Sequence, residues 1–136
     1  MRELFPIKST SELEKLTYQA KWQYFEKLVA FIFEENDYFT EIGVIFKLNG
    51  KHQIDVLAKK YDTVFAVECK KWRSKERASA LRTAVKKHLE RCDLYSIAKN
   101  KTVVPLIVTL LDDNIEEIDG VAVVPIMKLN AYLNGL

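Results

Sequence analysis

Two cysteines, three prolines and four glycines are all that 136 residues contain of these types, and each shortage excludes something. Cys69 and Cys92 stand far apart with no second Cys or His at metal-binding spacing, so neither a disulfide framework nor a structural zinc site is expected. Both are read as core residues. Scarce Gly and Pro exclude a low-complexity or linker-rich chain. Long apolar runs are also missing: residues 29–33 and 103–111, the longest, fall far short of the ~20 residues of a membrane span, and residues 1–8 hold no signal-like apolar stretch. The chain is therefore expected to be intracellular, in the cytoplasm, with no membrane contact. What is present is 49% hydrophobic and 29% charged, the balance of a folded chain, with length for a single domain over 1–136.

The formal net charge is only +2, but it is unevenly spread. Between Lys70 and Arg91 stand nine Lys and Arg (Lys70, Lys71, Arg73, Lys75, Arg77, Arg82, Lys86, Lys87, Arg91) against Glu76 and Glu90. That local surplus of seven positive charges leaves the remainder five negative, so one face attracts polyanions while the molecule stays nearly neutral.

Ser11 and Glu14 match a capping box. Trp22, Phe25, Leu28, Val29, Ile32 and Phe33 then form one stripe, which predicts a helix to about Glu35 with a break near 17–20. Residues 39–48 are rich in β-branched and aromatic types and end at Asn49-Gly50, a strong hairpin signal. Strands over 53–59 and 63–70, joined at Tyr61-Asp62, complete an antiparallel meander. A second long helix follows over 74–98, with Ala78, Leu81, Ala84, Val85, Leu89, Cys92 and Tyr95 on one face. Residues 102–111 and 121–126 read as strands, the first covered on both faces. Residues 112–120 read as an acidic loop or short helical turn, and 129–136 as a closing helix. The order is α-β-β-β-α-β-β-α, a mixed sheet flanked by helices.

The chemistry concentrates in 53–71. Glu68 and Lys70, two apart on one strand, project from the same face, with Val67 and Cys69 on the other. With the turn centred on Tyr61-Asp62, Asp55 falls opposite Glu68, and cross-strand partners lie about 5 Å apart at Cβ. Two ionised carboxylates that close repel unless a cation compensates. Hard oxygen ligands suit Mg²⁺ or Mn²⁺, which would polarise a phosphate and acidify a bound water. Lys70 is then placed to orient or deprotonate that water, or to stabilise charge on the phosphorane. Glu26, at the border of the first helix's stripe beside Trp22 and Phe33, is expected to reach the sheet edge without deep burial and to hold a second metal or a water. An ordinary surface glutamate fits that position equally well on spacing alone. One Asp, Glu or Lys in a strand is usually a solvent-facing residue; the spaced trio is not read so. His52 and His88 are read as surface or core residues.

Ile54-Asp55-Val56-Leu57-Ala58 followed by Val67-Glu68-Cys69-Lys70 resembles the Asp...Glu-x-Lys signature of the PD-(D/E)xK nuclease superfamily, the restriction-endonuclease-like fold. Phe25-Glu26-Lys27-Leu28-Val29-Ala30 resembles the first-helix motif of Mrr-like endonucleases, and the short chain is similar to archaeal Holliday junction resolvases. The resemblance covers about 22–111. It implies an αβββαβ core in the α/β class, Asp55 and Glu68 on Mg²⁺, Lys70 at the attacking water and Glu26 assisting from the helix. Two features depart from the pattern: Ile54 stands where a Pro often precedes the Asp, and Lys51-His52-Gln53 replaces a glycine-rich approach.

The expected function is a metal-dependent endonuclease cutting DNA, either structure-specific at junctions and flaps or of Mrr-like restriction type. Its phosphate contacts would come from Gln53, Lys71, Arg73, Lys75, Arg77, Arg82 and Lys86. Two strands need two sites, which favours a homodimer, and a DNA partner places the protein at the nucleoid. The alternative is an inactive nuclease-fold DNA-binding module, or a subunit of a larger complex; retention of every expected catalytic residue argues against it. An RNA-cleaving enzyme of related fold would rely on His and Tyr and work in EDTA, and the carboxylate pair argues against that.

Overall fold

The computed structural model describes residues 10–71, 77–112 and 114–136, with side chains described from residue 23 of the first helix and residue 79 of the second onward. The elements run α1(Thr10–Glu35), β1(Phe39–Lys47), β2(Lys51–Lys60), β3(Thr63–Lys70), α2(Arg77–Lys99), β4(Val104–Thr109), β5(Glu117–Ile118), β6(Val121–Pro125) and α3(Ile126–Asn134). They form a six-stranded mixed sheet in the order β1-β2-β3-β4-β6-β5. The first three strands are the antiparallel meander expected from the turn signals; β3, β4 and β6 run parallel.

Side-chain alternation divides the core between the two faces of this sheet. On one face, Phe25, Val29 and Phe33 of α1 and Leu129 and Leu133 of α3 pack on Val56, Ala58, Phe65, Val67, Cys69, Leu106 and Val108. On the other, Cys92 and Tyr95 of α2 cover Ile54, Leu57 and Ala66, while Leu81 and Val85 cover Ile107, Val121 and Val123. Strand β4 is thus covered on both faces, which is why it reads as an unbroken apolar run.

Three expectations are corrected. Helix α1 runs unbroken through 17–20, where no Gly or Pro interrupts the backbone hydrogen bonds. The stretch over 112–120 is not wholly loop: Glu117–Ile118 forms a short strand antiparallel to β6. Asp119 and Gly120, both left-handed at φ 51° and 80°, make the tight turn that an Asp-Gly pair favours. Helix α3 begins at Ile126 rather than 129, because Pro125, at φ −65°, leads the chain directly into it.

Phe33 anchors α1: it is fully buried, edge-on to Tyr38 at 5.1 Å and 5.8 Å from Phe65 between ring centroids. Phe33→Ala is expected to cost about 3–5 kcal/mol in urea unfolding. A loss below about 1 kcal/mol would show that the cluster closes over the gap.

Candidate active site

Strands β2 and β3 part company midway. Their ladder runs from Lys60↔Thr63 back to Val56↔Val67 and stops. Beyond that point the start of β2 pairs only with β1, as in Val44↔Ile54, and the end of β3 pairs with β4, as in Glu68↔Ile107 and Lys70↔Thr109. A fork opens between them. The register is the one expected from a turn at Tyr61-Asp62; continued, it would set Asp55 opposite Glu68.

Asp55 does not sit there as an ordinary cross-strand partner. Its neighbours Ile54 and Val56 pack on opposite faces of the sheet, so alternation breaks at Asp55 and its side chain lies between the faces. The Cys69 backbone N–H donates to Asp55 Oδ2 at 2.8 Å; the carboxylate takes over the edge of β3 where the backbone of β2 has left it. The expected ladder pair Asp55 and Glu68 is therefore not formed, although the charge of Glu68 still acts on Asp55. Gln53 is exposed and sets its amide near Gly43, Nε2 lying 3.4 Å from where a Cβ on Gly43 would stand.

Glu68 and Lys70 do project together, with Lys70 Nζ 3.0 Å from Glu68 Oε2. The other oxygen, Oε1, accepts from Arg91 Nη1 at 3.1 Å. Glu26 comes from α1 and is more enclosed than its border position suggests: it is 9% exposed, as is Glu68. Its charge reaches both Asp55 and Cys69. Burial, then the charge of Glu68 and also that of Glu26, push the Asp55 carboxyl up to about 7, against the opposing Cys69 N–H and Lys70. Burial, together with the nearby carboxylates, also raises the Cys69 thiol well above its usual range. Among the described residues, no three His, Cys, Asp or Glu side chains gather as a protein-built metal cage. Asp55 feels the charge of both Glu68 and Glu26, while the Glu68 oxygens face Lys70 and Arg91 and Asp55 Oδ2 accepts the Cys69 amide.

The expected phosphate contacts separate by position. Arg82 and Lys86 are exposed on α2, Lys71 is half-buried just after β3, and α2 begins at Arg77, whose side chain lies outside the described residues, as do Arg73 and Lys75. Two residues named in the sequence take places at the site that were not expected there. Arg91 was one of nine basic residues; its distinguishing signal is its position three after His88, at the border of the buried face of α2. His88 is fully buried and held 2.8 Å from Ala66 O through Nε2. Burial keeps it neutral by lowering its pKa, so Nε2 carries the donated proton and Nδ1 is left without a partner. It ties α2 to β3 two residues before Glu68, in keeping with its reading as a core residue.

Comparison with known proteins agrees with this architecture. An uncharacterized protein of Archaeoglobus fulgidus (strain ATCC 49558) is 36% identical over 118 residues, covering 85% of this chain and 92% of its own. The crystal structure of AF1548, a protein of unknown function, superposes with a TM-score of 0.50 at 25% identity, over 64% of this chain and 46% of that one. The chain thus spans less than half of that solved protein. Residues 17–104 match the Mrr_cat restriction endonuclease family. That match takes in most of α1, the meander, the fork and α2, and the chain belongs to this family, within the PD-(D/E)xK superfamily and its restriction-endonuclease-like fold.

Proposed function

We propose that this nuclease-family chain is a Mg²⁺- or Mn²⁺-dependent DNA endonuclease that hydrolyses phosphodiester bonds, with Asp55, Glu68 and Lys70 as its catalytic residues. The observation that carries the reading is the fork, where the Asp55 carboxylate lies against the edge of β3 within reach of the charges of Glu68 and Lys70, themselves 3.0 Å apart. The donor set suits a divalent cation: Mg²⁺ commonly takes one or two protein carboxylates and fills its shell with water and phosphate, so Asp55 and Glu68 suffice without a third ligand. Burial first, then the charge of Glu68 and Glu26, hold Asp55 up to about 7, and a bound cation would offset that charge. When bound, it supplies Lewis acidity toward the scissile phosphate and lowers the pKa of a bound water. Lys70 orients or deprotonates the attacking water, or stabilises charge developing on the phosphate. Glu26 holds a water or a second ion. Arg91 and Lys70 fix the two oxygens of Glu68.

The exposed Arg82 and Lys86 of α2 would bind phosphates with no information about sequence, which favours recognition of DNA shape, such as a junction or flap. Replacing both with alanine is expected to lower the slope of log affinity against log salt by about 2, while cleavage at saturating DNA holds. An unchanged slope would remove α2 from the interface. A homodimer would supply the second site for the second strand. No described helix is long and apolar enough to cross a membrane.

The second reading, a DNA-binding module without activity, is favoured by one observation: both oxygens of Glu68 are already engaged. Cleavage of labelled linear duplex, single strand, flap and four-way junction in Mg²⁺, Mn²⁺ or EDTA separates the two. Metal-dependent cutting of any of them supports the endonuclease, and the preferred one identifies its substrate. Salt-sensitive binding without cutting supports the module.

A further inference from the structure

We propose that Gly43 is a positioning residue: its left-handed backbone turns Asp55 out of the strand alternation and into the fork. In an uninterrupted antiparallel pair, every second residue of each strand faces the same side. Strands β1 and β2 keep one register on both sides of this point, Ile42↔Val56 and Val44↔Ile54, yet the pair between, Gly43 opposite Asp55, is missing from the ladder. No residue is inserted, so this is not a bulge.

Both strands nevertheless change faces here. On β2, Val56 and Ala58 pack on the α1 side and Ile54 on the α2 side. On β1, Glu41 pairs with Leu57 and acts by its charge on Tyr95, both of the α2 side, and Val44, three residues on, packs on that side again. An odd spacing on one face requires the backbone to turn over between them. Gly43 supplies that turn at φ +66°, a conformation that glycine adopts freely, Asn tolerates and a β-branched residue resists.

With an ordinary extended residue at 43 the ladder would close. Asp55, one residue from Val56, would then project to the α2 face as Leu57 does. Its carboxylate would leave the plane of the sheet, and the Cys69 N–H, now 2.8 Å from Oδ2, would lose its acceptor. Gly43 touches no reacting group; it acts through Asp55. Only the catalytic consequence rests on the nuclease reading, since the hydrogen bond is observable without it.

The test compares Gly43→Val with Gly43→Asn in full-length protein, following the Cys69 amide by NMR and cleavage of duplex DNA in Mg²⁺. A proton donated to a carboxylate lies downfield and exchanges slowly, and Asp55→Ala gives the reference for its loss. Gly43→Val is expected to shift the Cys69 amide toward that reference. It should lower kcat by about a hundredfold, the effect of displacing a catalytic group by an ångström, with KM for DNA little changed. Gly43→Asn is expected to keep both near wild type, and Gly43→Ala replaces Gly43→Val if the latter does not fold. A Cys69 amide unmoved in Gly43→Val, or moved equally in Gly43→Asn, overturns the proposal. If wild type cuts no DNA while the amide follows the expected pattern, the nuclease reading falls and the positioning role stands.

Discussion

In EDTA above pH 7, Asp55→Asn is expected to be more stable than wild type, by about 2–4 kcal/mol. The cause is the cost of an ionised carboxylate at a partly buried site beside Glu68 and Glu26. The Asp55 carboxyl, ordinarily near 3.8, is held up to about 7 in the folded chain, so the folded state binds its proton more tightly than the unfolded chain does. The sign is the reverse of an acid in a salt bridge. Stability from this group is complete below about pH 4, falls as pH rises toward 7 and is gone above it. The full interval corresponds to about 4 kcal/mol at 1.36 per unit, and solvent access to the site brings the lower end to about 2. Asparagine keeps an oxygen for the Cys69 N–H and has no proton to lose. Urea unfolding at pH 4, 6 and 8 measures the difference. Mg²⁺ added at pH 8 should raise the wild-type midpoint and leave Asp55→Asn unmoved, because a ligand bound only by the folded state stabilises it in proportion to RT ln(1 + [L]/Kd). A wild type with the same stability at pH 4 and pH 8 would show that Asp55 ionises freely.

The largest effect on activity is expected from Glu68→Gln, a loss of about a thousandfold or more in the rate of DNA cleavage. Glutamine preserves size and one acceptor for Lys70 or Arg91, which lie 3.0 and 3.1 Å from the native oxygens, but it removes the charge that would hold a cation. Both basic partners are about a quarter exposed, so the change should cost the fold little, on the order of 1 kcal/mol. DNA affinity should hold or rise slightly, since a negative charge leaves a surface that binds phosphate. Cleavage within about tenfold of wild type, where each tenfold is 1.4 kcal/mol, would remove Glu68 from the catalytic centre. Fluorescence anisotropy on the same DNA separates binding from cutting.

Most of the sheet was legible because its signals are local. The turn at Tyr61-Asp62 fixed the β2–β3 register, and alternation along β3 placed Glu68 beside Lys70. The buried stripe of α2, through Leu81, Val85 and Cys92, followed from helical spacing. The β5–β6 hairpin was equally local: Asp119-Gly120 is a tight-turn signal of the same kind as Asn49-Gly50, overlooked because the strand before it is only two residues long. What alternation could not reveal is the place where alternation fails. A glycine in a β-branched run signals some departure from regular pairing, but that Gly43 stands opposite Asp55 depends on the β1–β2 pairing, which no single strand contains. Arg91 on Glu68 is likewise a contact between residues 23 apart, set by how α2 lies across the sheet. The enclosure of Glu26 depends on the docking of α1, which spacing along the helix does not determine.

The most direct test of the catalytic centre is single-turnover cleavage of a labelled DNA duplex or four-way junction by wild type in Mg²⁺ and in EDTA, beside Glu68→Gln in Mg²⁺. Cutting by wild type in Mg²⁺ alone, absent in EDTA and in Glu68→Gln, is the predicted result. Equal cutting in EDTA, or cutting by Glu68→Gln at the wild-type rate, would contradict a hydrolytic centre built on Asp55, Glu68 and Lys70.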